Sequence, residues 1–279
     1  MKYLILGNRG QLGLEFTEYL TSKGEDFNGF DIQDFDIADR KKVFDCISEL
    51  LPNVVLNCAA YTDVDGSEKD YHSAFKVNAL GIKNIAEASA KYGTKVVHFS
   101  TDYVFDGTKT SGLYTEDDIT KPINMYGKSK YIGELFLTEE MENYLIFRTS
   151  WLYGKGQNFF NKLMDWIATK EHIRISCDEV SVPTWTRTVV EVADQAIQKD
   201  MRGRFHLTNT GYASRYEWAK LIVKLTGINT VLYPVSRDDF NMPAKRPYFS
   251  AMSNYKLAYK LGIEIPTWED AFKEYLKTI

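Results

Sequence analysis

Tyr126 and Lys130 stand four residues apart, so on a helix a phenol and an ammonium project from one face about one turn from each other. The spacing Tyr-x-x-x-Lys recurs at Tyr19/Lys23 and Tyr216/Lys220, and context must choose among the three. Tyr19 falls well beyond a glycine-rich loop and Tyr216 has no hydroxyl partner nearby; both read as structural. Tyr126 follows the turn signal Lys121-Pro122-Ile123-Asn124 and comes 25 residues after Thr101, which with Ser100 closes an apolar run. A phenol beside an ammonium and a strand-end hydroxyl suits proton delivery to the alkoxide that forms when a ketone accepts hydride. The phenol's ordinary pKa of about 10 then has to be pulled toward neutrality, about three units or 4 kcal/mol. The Lys130 ammonium, together with an oxidised nicotinamide ring, would supply this by favouring phenolate. Lys130 would also hydrogen-bond the nicotinamide ribose, and Thr101 would orient the carbonyl oxygen.

A dinucleotide loop is the natural companion. Gly7-Asn8-Arg9-Gly10-Gln11-Leu12-Gly13 directly follows the first apolar run and opens an amphipathic stretch, where glycines let backbone N–H groups approach a pyrophosphate at a positive helix end. The spacing is Gly-x-x-Gly-x-x-Gly rather than Gly-x-Gly-x-x-Gly. Asp31 lies 18 residues after Gly13, about where an acid holds the adenosine ribose hydroxyls of NADH. Arg9 argues for NADPH, because a guanidinium in the loop can accept a 2′-phosphate.

These groups need a scaffold that brings strand ends together. Lys2–Leu6, Asp26–Asp31, Val54–Ala59, Lys95–Ser100 and Tyr144–Thr149 are short Val/Ile/Leu/Phe-rich runs, as in strands covered on both faces. Between them, Leu12, Phe16, Tyr19 and Leu20, and later Ile82, Ile85, Ala86 and Ala90, share helical faces. The pattern is that of an α/β, doubly wound, Rossmann-like parallel sheet with its ligand crevice beyond the carboxyl ends of the strands. The second half predicts helices at 157–170, 214–225, 254–261 and 268–277, and strands at 174–177 and 204–208. Residues 1–152 form the expected dinucleotide domain, which also receives segments near 174–210. Residues 153–279 form a smaller, interleaved substrate lobe.

Composition narrows the class. Of 279 residues, 44% are hydrophobic and 26% charged, and the net charge of −4 has no basic block. A folded globule is expected, with nucleic acid excluded as a partner. The apolar start Tyr3-Leu4-Ile5-Leu6 is too short for a signal peptide or membrane span, so a cytoplasmic protein without a membrane partner is expected. Cys46, Cys58 and Cys177 form no metal-binding spacing and read as buried thiols of a reducing compartment.

Taken together, the loop, the strand-end Ser/Thr and Tyr-x-x-x-Lys resemble the extended short-chain dehydrogenase/reductases. The resemblance is nearest to the dTDP-4-dehydrorhamnose reductase family, through stretches that span most of the chain: 6–13, Asn57 to Asp65, Ser100-Thr101-Asp102-Tyr103-Val104-Phe105-Asp106-Gly107, Tyr126-Gly127-Lys128-Ser129-Lys130, Arg148 to Gly154, and Arg246-Pro247. The resemblance implies reduction of the C4 ketone of a dTDP-4-keto-6-deoxy-sugar by NADPH or NADH. It puts Cys58, Ala59 and Ala60 on the adenine-side wall with Thr62 beside them, and Asn78 in support of the catalytic edge. Trp151 would stack on the sugar, and Tyr103, Asn158 and Arg246 would reach sugar or diphosphate. Related 4,6-dehydratases carry Asp-Glu after the catalytic Thr, whereas this chain has Asp102-Tyr103, which disfavours dehydration. Some relatives dimerise through a magnesium site built from glutamates. Glu15 matches one of these, but Trp185-Thr186-Arg187 follows Pro183-Thr184 where an acid is expected, so magnesium is disfavoured and both monomer and homodimer stay open. A reductase or epimerase of another nucleotide sugar, and a non-catalytic dinucleotide-binding regulatory subunit, are the alternative readings.

Overall fold

In the computed structural model, which describes residues 1–170 and 172–279, the first half alternates strand and helix. The elements are β1 (Lys2–Leu6), α1 (Gln11–Lys23), β2 (Asp26–Phe30), α2 (Arg40–Leu50), β3 (Val54–Asn57), the short α3 (Val64–Lys69) and α4 (Tyr71–Phe75), α5 (Gly81–Tyr92), β4 (Lys95–Thr101), α6 (Met125–Glu140) and β5 (Tyr144–Thr149). A π-helical stretch, Lys76–Leu80, joins α4 to α5. The second half adds β6 (Leu152–Tyr153), α7 (Phe159–Thr169), β7 (Ile173–Ser176), β8 (Val180–Ser181), β9 (Thr184–Trp185), α8 (Thr186–Gln198), β10 (Gly203–His206), β11 (Ala213–Ser214), α9 (Arg215–Thr226), β12 (Leu232–Val235), α10 (Tyr255–Leu261) and α11 (Trp268–Leu276).

Six of the described strands form one parallel sheet in the order β10-β5-β4-β3-β1-β2. Strand residues alternate between its two faces. Tyr3 and Ile5 of β1 join a core with Phe16 of α1, Val189 and Ala193 of α8 and Leu257 of α10. Leu4 and Leu6 join the opposite core with Val43 of α2, Ile82 and Ile85 of α5 and Leu137 of α6. The strand order reverses between β1 and β3, which is the topological switch point where open sheets bind ligands. A third core gathers Tyr153, Phe160, Leu163, Trp218, Trp268 and Phe272 from α7, α9, α11 and the short strands around them. Residues 186–206 return to the main sheet as α8 and β10. Among the described residues no helix is long and apolar enough to cross a membrane.

The loop between β1 and α1 is built by close approach. Gly7 has φ +83°, and a Cβ there would stand 2.6 Å from the Ala59 nitrogen. Gly13 lets α1 close onto the same turn, since its Cβ would lie 2.0 Å from the Gly7 carbonyl oxygen. Gly10 caps α1 with no side-chain hydrogen bond, and no acid sits in the first turn, so the N–H groups there remain available to an anion.

The sequence placed β1 and β5 at their observed limits and β4 within one residue. One expectation is corrected: Cys177 is exposed, because it lies just past β7 on the rim of the small β7–β12 sheet, and Cys46 and Cys58 are only partly covered. All three are free thiols among the described residues. Replacing Gly13 by Ala is expected to lower stability by about 1–3 kcal/mol through overpacking, read as a fall of several degrees in Tm and a parallel loss of dinucleotide affinity. An unaltered melt would show that α1 can shift away without cost.

Candidate active site

A cleft of about 870 Å³ runs along the carboxyl edge of the sheet. Gly10, Gln11 and Leu12 line it from the loop, Cys58, Ala60 and Thr62 from beyond β3, Ser100 and Thr101 from β4, and Tyr126 and Lys130 from α6. Trp151 and Arg246 close its far end. An adjoining hollow of about 490 Å³ takes Gly7, Arg9, Asp31, Cys58, Ala59 and Ala60 into its wall. Asp31 accepts from the backbone N–H groups of Arg9 (3.1 Å) and Ile32 (2.7 Å), while Arg9 Nη1 donates to Gln33 Oε1 at 2.8 Å. The acid and the guanidinium that point to different dinucleotides are thus neighbours in one hollow.

The structure keeps several named residues off the cleft wall. Asn8 packs against Gly29 of β2, and Gly13 against Gly7. Asn78 is fully buried and clamps two segments: its Oδ1 accepts from Tyr61 N–H at 2.9 Å, and its Nδ2 donates to the Tyr61 carbonyl (2.9 Å) and to Ser129 Oγ (3.0 Å). Ser100 lines the cleft, but its hydroxyl donates to Glu134 at 2.5 Å. Of the other Tyr-x-x-x-Lys pairs, the Tyr19 hydroxyl donates to Asp194 at 2.9 Å, and Lys220 lies 5.6 Å from the Tyr216 ring centroid.

Tyr126, Lys130 and Thr101 meet on one wall because α6 can lie close to the end of β4. Asn124 caps α6, accepting from Gly127 N–H at 2.7 Å. A Cβ on Gly127 would stand 2.2 Å from the Tyr103 carbonyl oxygen. Burial acts against one expectation. Burial pushes the Tyr126 phenol up to about 12, with the Thr101 hydroxyl pulling it down and the Asp102 charge adding to the rise. The Lys130 Nζ donates to the Phe99 carbonyl at 2.6 Å, and burial lowers the ammonium to about 8, against the raising influence of Glu134 and Cys58. The reason is desolvation, which penalises the ionised form of both groups.

At the far end Trp151 adopts φ +42°, a left-handed conformation that a bulky residue rarely takes. Its ring stacks 6.1 Å from that of Trp218, with the Arg215 guanidinium 3.6 Å from its centroid. The Trp151 Nε1 and Thr149 Oγ1 atoms are buried with no partner, and both residues line the cleft. Arg246 holds Asp65 with two bonds of 2.8 and 3.1 Å. Burial works against its charge, but the Asp65 carboxylate more than offsets this, and its pKa is raised. Asn158 caps α7 and donates to the Gly154 and Gly156 carbonyls at 2.8 and 3.1 Å, so its amide fixes the loop beside a second hollow that it lines. Tyr103 is buried, its ring edge-on to Tyr126 at 6.0 Å and its hydroxyl donating to Glu179 at 3.4 Å. Thr149 and Arg215 were missed by sequence reasoning. Thr149 carries a signal, being the strand-end hydroxyl of β5, whereas Arg215 carries none, since the third core alone brings it to Trp151. Glu15, the candidate magnesium ligand, accepts from Thr186 Oγ1 at 3.0 Å and faces Arg187 at 3.7 Å, so a guanidinium stands where a cation would bind.

A loop that side chains would block, an uncapped helix N-terminus and unpartnered buried polar atoms around a strand-end Thr and a Tyr/Lys pair fit a dinucleotide. They define the class of the extended short-chain dehydrogenase/reductases. The whole chain, residues 1–279, matches the RmlD substrate binding domain, and it belongs to that family. It is 34% identical over 277 residues to the spore coat polysaccharide biosynthesis protein SpsK of Bacillus subtilis, covering 99% of this chain and 97% of the relative. A crystal structure of a dTDP-4-dehydrorhamnose reductase from Clostridium acetobutylicum superposes with a TM-score of 0.96 at 39% identity, covering 100% of this chain and 99% of that one. The Bacillus anthracis dTDP-4-dehydrorhamnose reductase in complex with NADP gives a TM-score of 0.96 at 36% identity with the same coverage.

Asp102 supplies a test of the site's electrostatics. Fully buried, it is pushed up to about 6 by desolvation, against bonds from Ser250 (2.5 Å), Ser181 (2.8 Å) and Thr101 (3.1 Å). A carboxyl that is less acidic in the fold than in the unfolded chain contributes stability that is full below pH 3.8 and is lost as pH rises through about 6. Asp102→Asn removes that dependence. The variant is expected to be more stable than the parent by about 1–3 kcal/mol at pH 7.5, with the difference vanishing toward pH 4 in urea melts. Equal offsets at both pH values would contradict this account of Asp102.

Proposed function

We propose that the chain reduces the C4 ketone of a dTDP-4-keto-6-deoxy-sugar, converting dTDP-4-dehydrorhamnose to dTDP-L-rhamnose with NADPH or NADH. The single observation that carries this reading is that Thr101, Tyr126 and Lys130 share one cleft wall with the glycine loop, in a chain similar along its whole length to named reductases. A bound dihydronicotinamide supplies the hydride. Tyr126 holds its proton firmly and gives it to the ketone oxygen as negative charge develops there. Thr101 orients that oxygen, and Lys130 keeps a positive charge beside it and binds the nicotinamide ribose. Gly10, Gln11 and Leu12 cradle the pyrophosphate, Asp31 and Arg9 receive the adenosine ribose, and Cys58, Ala59, Ala60 and Thr62 form the wall beside it. Trp151 offers its ring to the sugar and Arg246 its guanidinium to the diphosphate. Tyr103, directed at Glu179, is no acid for dehydration, which supports simple carbonyl reduction.

Oxidation of NADPH and NADH followed by absorbance with dTDP-4-keto-6-deoxy-L-mannose tests the reading, with other 4-keto nucleotide sugars as competitors. Tyr126→Phe is expected to lower kcat by on the order of 100-fold or more while dinucleotide affinity, read by fluorescence titration, stays unchanged. Turnover retained in the Phe variant, or absent with every sugar in the parent, overturns it. Lys130, at about 8, loses its proton before Tyr126 does, so kcat is expected to fall on the alkaline side with a midpoint near that pH.

A further inference from the structure

Tyr126, Lys130 and Glu134 follow one another at i, i+4 and i+8 on α6, so the three share one stripe of the helix. Glu134 is fully buried. It accepts from the Ser100 hydroxyl at 2.5 Å, from Arg148 Nε at 2.9 Å and from Arg148 Nη2 at 2.7 Å, and Arg204 Nε stands 3.1 Å away. Ser100 immediately precedes Thr101 on β4, Arg148 lies on β5 and Arg204 on β10. One carboxylate therefore ties α6 to three adjacent strands directly behind the reacting groups.

A buried ion pair adds little net stability, because desolvation consumes most of the Coulomb gain. The surroundings of Lys130 suggest what the carboxylate does instead. Acting on the Lys130 ammonium are Glu134 on its own helix, Cys58 beyond β3, and the Phe99 carbonyl and His98 on β4. The Cys58 thiol is pushed up by burial, and burial with the Lys130 charge keeps His98 far below its usual range. Glu134 is thus the carboxylate of this set, and the guanidinium groups of Arg148 and Arg204 stand behind it. Without it, Lys130 would have no carboxylate among these neighbours, and Arg148 and Arg204 would lose the partner they share.

We infer that Glu134 is a positioning residue for the reduction: its buried carboxylate keeps the Lys130 side chain cationic and locks α6 against β4, so that Tyr126 and Thr101 present one wall to the ketone. The inference rests on the proposed reading in which Tyr126 and Lys130 conduct the proton chemistry.

Profiles of kcat against pH for the parent, Glu134→Gln and Arg204→Met decide it. Gln keeps the size and an acceptor for Ser100 but removes the charge, so the alkaline limb is expected to move down by about one unit. Arg204→Met removes a partly exposed cation from behind Glu134 and is expected to move the limb up by about a few tenths of a unit. A residue with a merely structural role lowers kcat at every pH and moves neither limb. Fluorescence titration with NADPH establishes that each variant is folded. If both variants bind dinucleotide and both limbs stay where the parent's lies, the inference is overturned. If Glu134→Gln fails to fold, the Arg204→Met limb decides alone, supporting the inference by rising and overturning it by staying. Retained turnover in Tyr126→Phe overturns instead the functional reading beneath it, which keeps the two failures apart.

Discussion

Placing the ammonium of Lys130 in the cleft wall, 2% exposed and donating to the Phe99 carbonyl at 2.6 Å, is the constraint to which the surrounding residues answer. Its pKa falls from 10.5 to about 8, so the folded state carries a desolvation burden that is present in full below pH 8 and eases as pH rises toward 10.5. The neighbours are chosen accordingly. Cys58 and His98 stay uncharged, and a carboxylate sits one turn along the same helix. β4 is buried over its entire length although it contains Lys95, His98, Ser100 and Thr101. A central strand tolerates so many polar side chains because each has a partner: Glu134 for Ser100, Asn57 for His98, Asp102 for Thr101, and the Met201 carbonyl with Asp200 for Lys95.

Tyr126 and Asp102 show the same logic with the opposite charge. Asp102 is buried and Tyr126 half-buried beside Thr101, and both hold protons more tightly than they would in water. For a reductase this is the useful direction. A phenol already pulled to neutrality would stand partly ionised before the ketone arrived, whereas one raised to about 12 keeps its proton until an oxygen of greater basicity forms beside it. The acidifying influence that sequence reasoning assigned to Lys130 is outweighed here by burial, a tertiary property that an i, i+4 spacing does not contain.

Much of the scaffold was readable because it rests on local pattern. Strands β1, β3 and β5 are compact, largely apolar runs, and β1 and β5 begin and end where those runs do. The helix α8 was not read: Thr186, Thr188, Val189, Val190 and Val192 are β-branched and poor helix formers, and their packing beside α1 overrides that preference. β12 was hidden by Pro234, which sits in a strand paired on one side with β7. The two-residue strands β6, β8, β9 and β11 are too short to show any period. At the site, Tyr-x-x-x-Lys and the glycine loop were legible as spacings within one element. The Glu134 cluster was not, because Arg148 and Arg204 are 56 positions apart and reach the same carboxylate only through the adjacency of β5 and β10.

The two ends of the cleft are held in register by a few polar contacts. Asp65 of α3 holds the Arg246 guanidinium with two bonds and also accepts from Ala244 N–H at 3.0 Å. Asn124 completes the frame: its Oδ1 caps α6 through Gly127 N–H, while its Nδ2 donates to the Lys245 carbonyl at 2.8 Å. One amide side chain therefore fixes both the helix that presents Tyr126 and the neighbour of the residue proposed to grip the diphosphate. The distance between a sugar's anchored end and its reacting carbon is then set by hydrogen bonds of fixed length rather than by side-chain packing that could relax. Such directional bonds keep a catalytic geometry better than apolar contact of equal strength, since they fail sharply with displacement.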